Sequence, residues 1–177
     1  AVAMNHFELF ELEPALDIDL TQLKAKFLKL QQQYHPDNNQ DQIEQAIAKS
    51  SQVNQAYDAL KHVDSRAAYL LQLQKQDGGI EQSIHDFEFL QSALELREQL
   101  DEATSSEQLQ GLRTEVEQWV NALIKEFQID YAEQDWSEAR DTVRKLRFFR
   151  HVLMDIDKAE EKLFDDEDFA GFDDDFE

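Results

Sequence analysis

Apolar residues recur three and four positions apart along most of the chain, the spacing of helices that bury one face. The first clear run is DLTQLKAKFLKLQQQY, where Leu20, Leu23, Phe27, Leu30 and Tyr34 form one stripe. Asp19 with Gln22 resembles a capping box at its start. Pro36 ends the run, because the residue before a proline is pushed out of the α region, and His35 therefore begins a loop. A second stripe of Ile43, Ala46, Ile47, Ser50, Val53, Asn54, Tyr57 and Leu60 predicts a helix over about residues 41–61. The segment SRAAYLLQL predicts a short third helix. Two antiparallel helices joined by the loop at Pro36 are the simplest packing of this half.

Gly78-Gly79 is the only paired glycine and marks a domain boundary. Beyond it three longer helical patterns are predicted, at about Ile84 to Ala103, Glu107 to Tyr131 and Trp136 to Phe164. Leu109, Leu112, Val116, Val120, Leu123 and Phe127 stripe the second, and Trp136, Ala139, Val143, Leu146 and Leu153 stripe the third. The expected class is all-α, an N-terminal helical hairpin followed by a three-helix bundle. With Met4 taken as the natural start, the expected divisions are a first domain over 4–76, a linker over 77–83, a second domain over 84–164 and an acidic disordered tail over 165–177.

The helix containing FEFLQSALELREQLDEA has more apolar positions than one stripe needs. At about 100° per residue, Phe89, Ala93, Leu96 and Leu100 fall on one side and make the expected core face. Leu90 and Leu94 fall well around the helix from that face, among Gln91, Glu95, Glu98, Asp101 and Glu102. Phe148 likewise lies opposite the stripe of Trp136, Val143 and Leu146. Either these three residues pack on one another or on the first domain, or they form an apolar centre with a charged margin, the anatomy of a protein-binding patch.

Charge narrows the partners. Among 177 residues, 17 Lys and Arg stand against 39 Asp and Glu, and the net charge of −22 is repelled by nucleic-acid phosphates and anionic lipid. Protein partners are expected, with no nucleic acid and no membrane. The segment DDEDFAGFDDDFE lacks the ligand spacing of a calcium loop. With no cysteine there is no disulfide or thiolate metal site, and a cytoplasmic location is expected for a chain without an apolar run of about 20 residues or a signal-like start. Neither metal nor cofactor is implied.

A lone His-Pro-Asp tripeptide is a common kind of turn. Here it follows an amphipathic helix carrying Lys26, Lys29 and Gln33 on its polar side, and VNQAYDAL and SRAAYLL come after it. This order resembles the J-domain of DnaJ-type co-chaperones over about Asn5 to Gln76. ELREQLDE (Glu95 to Glu102) and DTVRKLRF (Asp141 to Phe148) are similar to the second domain of the HscB family, J-type co-chaperones of iron–sulfur cluster assembly, in its bacterial form. The resemblance implies a non-enzymatic co-chaperone. His35, Pro36 and Asp37 would contact the ATPase domain of a DnaK-like chaperone, HscA, with Lys26 and Lys29, and Lys24 at the flank, supplying a basic docking face. Leu90, Gln91, Leu94, Glu95, Glu98 and Phe148 would hold the scaffold protein IscU. Relatives often carry an apolar residue where Gln91 stands. Three other readings compete: a general J-protein serving DnaK with other clients, a small hydrolase using His35 and Asp37, and a plain helical scaffold. The hydrolase lacks a phosphate-cradling loop, a metal cluster and a placed nucleophile.

Overall fold

The computed structural model describes residues 4–174, and every regular element among them is helical. The chain divides into two compact units, Ala1–Gly78 and Gly79–Glu177, so the division falls inside the expected linker.

The first unit holds α1 (His6–Leu9), α2 (Leu20–Gln33), α3 (Ile43–Lys61) and α4 (Val63–Leu73). At one turn, α1 is too short to show a period, and it is fixed by a reciprocal capping box. The Asn5 side chain accepts from Glu8 N–H at 2.8 Å, and Glu8 accepts from Asn5 N–H at 3.2 Å. The capping pulls Phe7 and Phe10 into the core with Leu16. Tyr69 of α4 accepts from His6 N–H at 2.9 Å, and the two rings stack.

Helices α2 and α3 run antiparallel, since partners move backward along α3 as they move forward along α2. Phe27 stacks on Tyr57 with ring centroids 3.9 Å apart, Gln31 bonds Asn54 and Ser50, and Lys49 lies over the Tyr34 ring. The buried face of α3 is Ala46, Val53, Ala56 and Leu60. Ile43 and Ile47, assigned above to the core stripe, are exposed, as is Leu20 on α2. The face that α3 presents to α1, α2 and α4 is rotated away from the isoleucines, so the stripe drawn from the pattern was too wide. Arg66 is buried among these helices, and donates to the carbonyl oxygens of Leu16 at 2.6 Å and Leu60 at 2.7 Å, which offsets the cost of taking a cation out of water.

The second unit holds α5 (Phe87–Glu102), α6 (Ser106–Glu133) and α7 (Trp136–Asp174). Asp86 caps α5 through Phe89 N–H, and Ser105 caps α6 through Gln108 N–H. Gln134 ends α6 in the left-handed region at φ 61°. The hairpin of α6 and α7 is held by Arg113, which donates to Asp157 at 2.5 Å and Glu160 at 3.1 Å. Helix α5 lies against that hairpin through Phe89, whose ring meets Trp119 and Phe149, and through Arg97, which pairs with Asp155 at 2.6 Å.

Two features of α7 depart from expectation. Beyond the predicted stripe, Phe149, Val152 and Ile156 are also buried, because one flank of the helix faces α6 and another faces α5. The helix also continues past Phe164 to Asp174 rather than giving way to a disordered tail at 165, and residues 136–170 contain neither proline nor glycine to stop it. Residues 1–3 and 175–177 lie outside the described residues.

Much of the expected linker is strapped to α7. Arg144, almost wholly buried, donates to Gly79 O at 2.6 Å, Ile80 O at 3.3 Å and Asp141 Oδ1 at 3.0 Å. Asp141 also accepts from His85 N–H at 3.0 Å, and Lys145 reaches Asp86 at 2.9 Å. The Lys145 hydrogen bond, aided by Phe89 N–H, holds the Asp86 carboxyl below its usual range. Ile80 is buried beneath this strap.

Candidate functional site

The loop after α2 is a built structure. His35 is extended at φ −65° and ψ 137°, as a residue before proline must be, and Pro36 opens a 3-10 turn over Pro36–Asn38. His35 Nδ1 accepts from Asp37 N–H at 3.1 Å. An ion pair between Nδ1 and Asp37 Oδ2, 3.6 Å apart, requires a proton on Nδ1. The backbone N–H can only donate, and its contact is the shorter, so Nδ1 is the acceptor and the proton of neutral His35 sits on Nε2. Both side chains stand in solvent, 56% exposed for His35 and 87% for Asp37. Nε2–H is thus presented as a donor and the Asp37 carboxylate as an acceptor.

Two residues that the pattern did not single out hold the loop in place. Asn38 donates to Gln32 O at 2.8 Å, and Asn39 donates to Gln33 O and His35 O, both at 2.9 Å. Gln32 and Gln33 end α2, where carbonyls lack helical partners, so the side-chain amides tie the loop to the helix it follows. The signal was in the sequence as Asn-Asn directly after His-Pro-Asp.

Lys26, Lys29 and Gln33 share one flank of α2 and line a hollow with Leu9, Phe10, Glu11 and Leu30. Lys26 Nζ lies 3.4 Å from Glu11 O. Lys24 sits around the helix from them, on the flank of the exposed Leu20 and Leu28. Two of the three candidate lysines are therefore together, and the third is apart.

On α5, Leu90, Gln91, Leu94, Glu95 and Glu98 are all exposed, while Phe89, Ala93, Leu96 and Leu100 are buried. Phe148 is half-buried. Its ring stands edge-on to Phe89 at 6.0 Å and packs against Phe149 at 5.5 Å, so it joins the seam between α5 and α7 rather than standing free. The Arg97 hydrogen bond pulls the Asp155 carboxyl below its usual range and ties α5 to α7 at the edge of the exposed strip. Among the described residues no His, Asp and Glu cluster could hold a metal ion, and no helix is long and apolar enough to cross a membrane.

Comparison with known proteins covers both units. The DnaJ domain family matches residues 5–69, and the family described as the HSCB C-terminal oligomerisation domain matches residues 85–157. A co-chaperone protein HscB homolog of Acinetobacter baumannii is 69% identical over 173 residues, covering 98% of this chain and all of that protein. The homolog of Photobacterium profundum is 38% identical over 92% of this chain and all of that protein. The solved structure of chaperone HscB from Vibrio cholerae superposes with a TM-score of 0.76 at 32% identity, over 90% of this chain and 99% of its own. A helical unit with an exposed His-Pro-Asp loop, followed by a three-helix unit, is thus the architecture of a J-type co-chaperone. The chain belongs to the HscB co-chaperone family.

Proposed function

We propose that the chain stimulates the ATPase of a DnaK-like chaperone, HscA, and delivers the iron–sulfur scaffold protein IscU to it, assisting cluster maturation and transfer. The working divisions are a J-domain over 4–76 and a scaffold-binding domain over 84–164. His35, Pro36 and Asp37 are the contact residues for the chaperone, with Lys26 and Lys29 beside them and Lys24 on the other flank. Leu90, Gln91, Leu94, Glu95, Glu98 and Phe148 are the scaffold contacts.

The observation that carries this function is the presentation of the loop. His35 and Asp37 are exposed yet positioned by Pro36, Asn38 and Asn39, so little entropy is lost on contact. Nothing in the loop has to do chemistry. Stimulation follows if the loop binds the chaperone's hydrolysis-competent state more tightly than its resting state.

Single-turnover ATP hydrolysis by purified HscA, and separately by DnaK, tests the function. The protein should accelerate HscA, and His35→Gln should abolish the effect. A stronger response from DnaK would favour a general J-protein, and no response from either would end the J-type reading.

A further inference from the structure

The exposed strip on α5 starts a turn before the residues assigned to it. Phe87, the first residue of α5, is 70% exposed, and it continues the line of Leu90 at 37% and Leu94 at 66% with the spacing i, i+3, i+7. At about 100° per residue, Phe87, Leu90, Gln91, Leu94 and Glu98 all fall within about 100° of the helix circumference. Phe89, two residues on, turns the opposite way into the aromatic seam, whereas Phe87 makes no ring contact among the described residues. An exposed phenylalanine at the head of a helix that already buries Phe89 does nothing evident for the fold.

The strip changes character along its length. It is apolar at Phe87, Leu90 and Leu94, with Glu88 at its edge, and carries Glu95, Glu98, Asp101 and Glu102 farther along. A matching partner surface offers apolar side chains and, about 13 Å farther along the helix axis from centre to centre, cations. Gln91 interrupts the apolar stretch, and Phe87 stands one turn before it on nearly the same line.

We infer that Phe87 is an apolar anchor for the scaffold protein IscU, supplying at the start of α5 the contact area that Gln91 does not. This rests on the assignment of α5 to scaffold binding. Exposed aromatic residues on a patch with a charged margin are the usual carriers of interface affinity.

Calorimetric titration of IscU into the full chain separates the two claims. Phe87→Ala should weaken binding about tenfold, and Phe87→Leu should stay within about threefold of the wild type. Helicity should not change, because the side chain is exposed. Ile129→Ala removes an apolar residue of α6 that is 58% exposed and should leave binding unchanged. If Leu94→Ala weakens binding and Phe87→Ala does not, the inference about Phe87 is overturned while α5 remains the scaffold site. If neither substitution matters, the scaffold assignment itself fails and takes this inference with it. An equal loss from Ile129→Ala would mark the effect as unspecific apolar adhesion and also overturn the inference.

Discussion

Asn39→Ala should damage the action on the chaperone without touching a contact residue. The substitution deletes two hydrogen bonds, to Gln33 O and His35 O, each 2.9 Å long. A neutral hydrogen bond contributes about 0.5–1.5 kcal/mol net. Asn39 is half-buried, so water reaches Gln33 O, while His35 O keeps Asn38 N–H at 3.0 Å, and the pair is worth about 1–2 kcal/mol. The side chains of His35, Pro36 and Asp37 are unchanged, so the loss falls on loop order. Apparent affinity scales with the fraction of molecules whose loop is already competent. The loss therefore corresponds at most to a fivefold to thirtyfold weaker interaction, with about tenfold the central expectation. In single-turnover hydrolysis by HscA at increasing co-chaperone concentration, the half-maximal concentration should rise by that factor while the plateau stays. Asn39→Asp should do at least as badly, because a carboxylate cannot donate and adds negative charge at the negative end of α2. An unchanged curve would show that loop order does not depend on Asn39. A lower plateau at an unchanged half-maximal concentration would show that Asn39 acts in the partner's activated state, and would refute the ordering role.

Other consequences follow from the second unit. Arg144→Met leaves Gly79 O, Ile80 O and Asp141 short of a buried donor, and breaking such a pair costs about 3–5 kcal/mol. Asp141 keeps His85 N–H, so the low end, about 3 kcal/mol, is expected in urea unfolding, with faster amide exchange over residues 79–85. A loss below about 1 kcal/mol would contradict the strap. Asp155 has its pKa lowered in the folded protein, so its pairing with Arg97 stabilises above the unfolded carboxylate value, about pH 3.9, and that stability is lost as pH falls through the folded value. Asp155→Asn should be less stable than the wild type at pH 7, and the gap in urea midpoint should close below about pH 4. A gap independent of pH would show that Asp155 acts by packing alone.

Local rules made much of the chain legible. Pro36 stops α2 where the rule for its preceding residue says it must, and Asp19 caps that helix by accepting from Gln22 N–H, whereas α5 starts at Phe87, after the cap Asp86, and not at the expected Ile84. The angular separation of Leu90 and Leu94 from Phe89, Ala93, Leu96 and Leu100 matches burial residue by residue. Readings that depended on tertiary packing went wrong. Ile43 and Ile47 look like core by period, but only the positions of neighbouring helices decide which part of a wide apolar face is covered. Phe149, Val152 and Ile156 were missed because a single stripe cannot describe a helix buried on two sides. Asp141, Arg144 and Lys145 were given no structural role from DTVRKLRF, yet they are buried and hold the segment from Gly79 to Asp86, a long-range pairing that no local pattern contains. At the candidate chaperone site, the contact triplet was legible as a motif. Its support left only the trace of Asn-Asn after the triplet, and the reach of Asn38 and Asn39 back to carbonyls of the preceding helix is a contact that the residue types alone do not specify.

Delivery as proposed requires one chain to hold chaperone and scaffold at the same time. Delivery in trans tests it most directly. His35→Gln keeps the scaffold strip, and Leu90→Ala with Leu94→Ala keeps the loop; Phe148 is left intact because its ring also packs on Phe89 and Phe149. Stimulation of HscA should be measured at a scaffold concentration too low to act alone, where the wild type gains from tethering. An equal mixture of the two variants should fail to restore the response of the wild type. If the mixture restores it fully, the two activities are independent and the chain does not act as a tether.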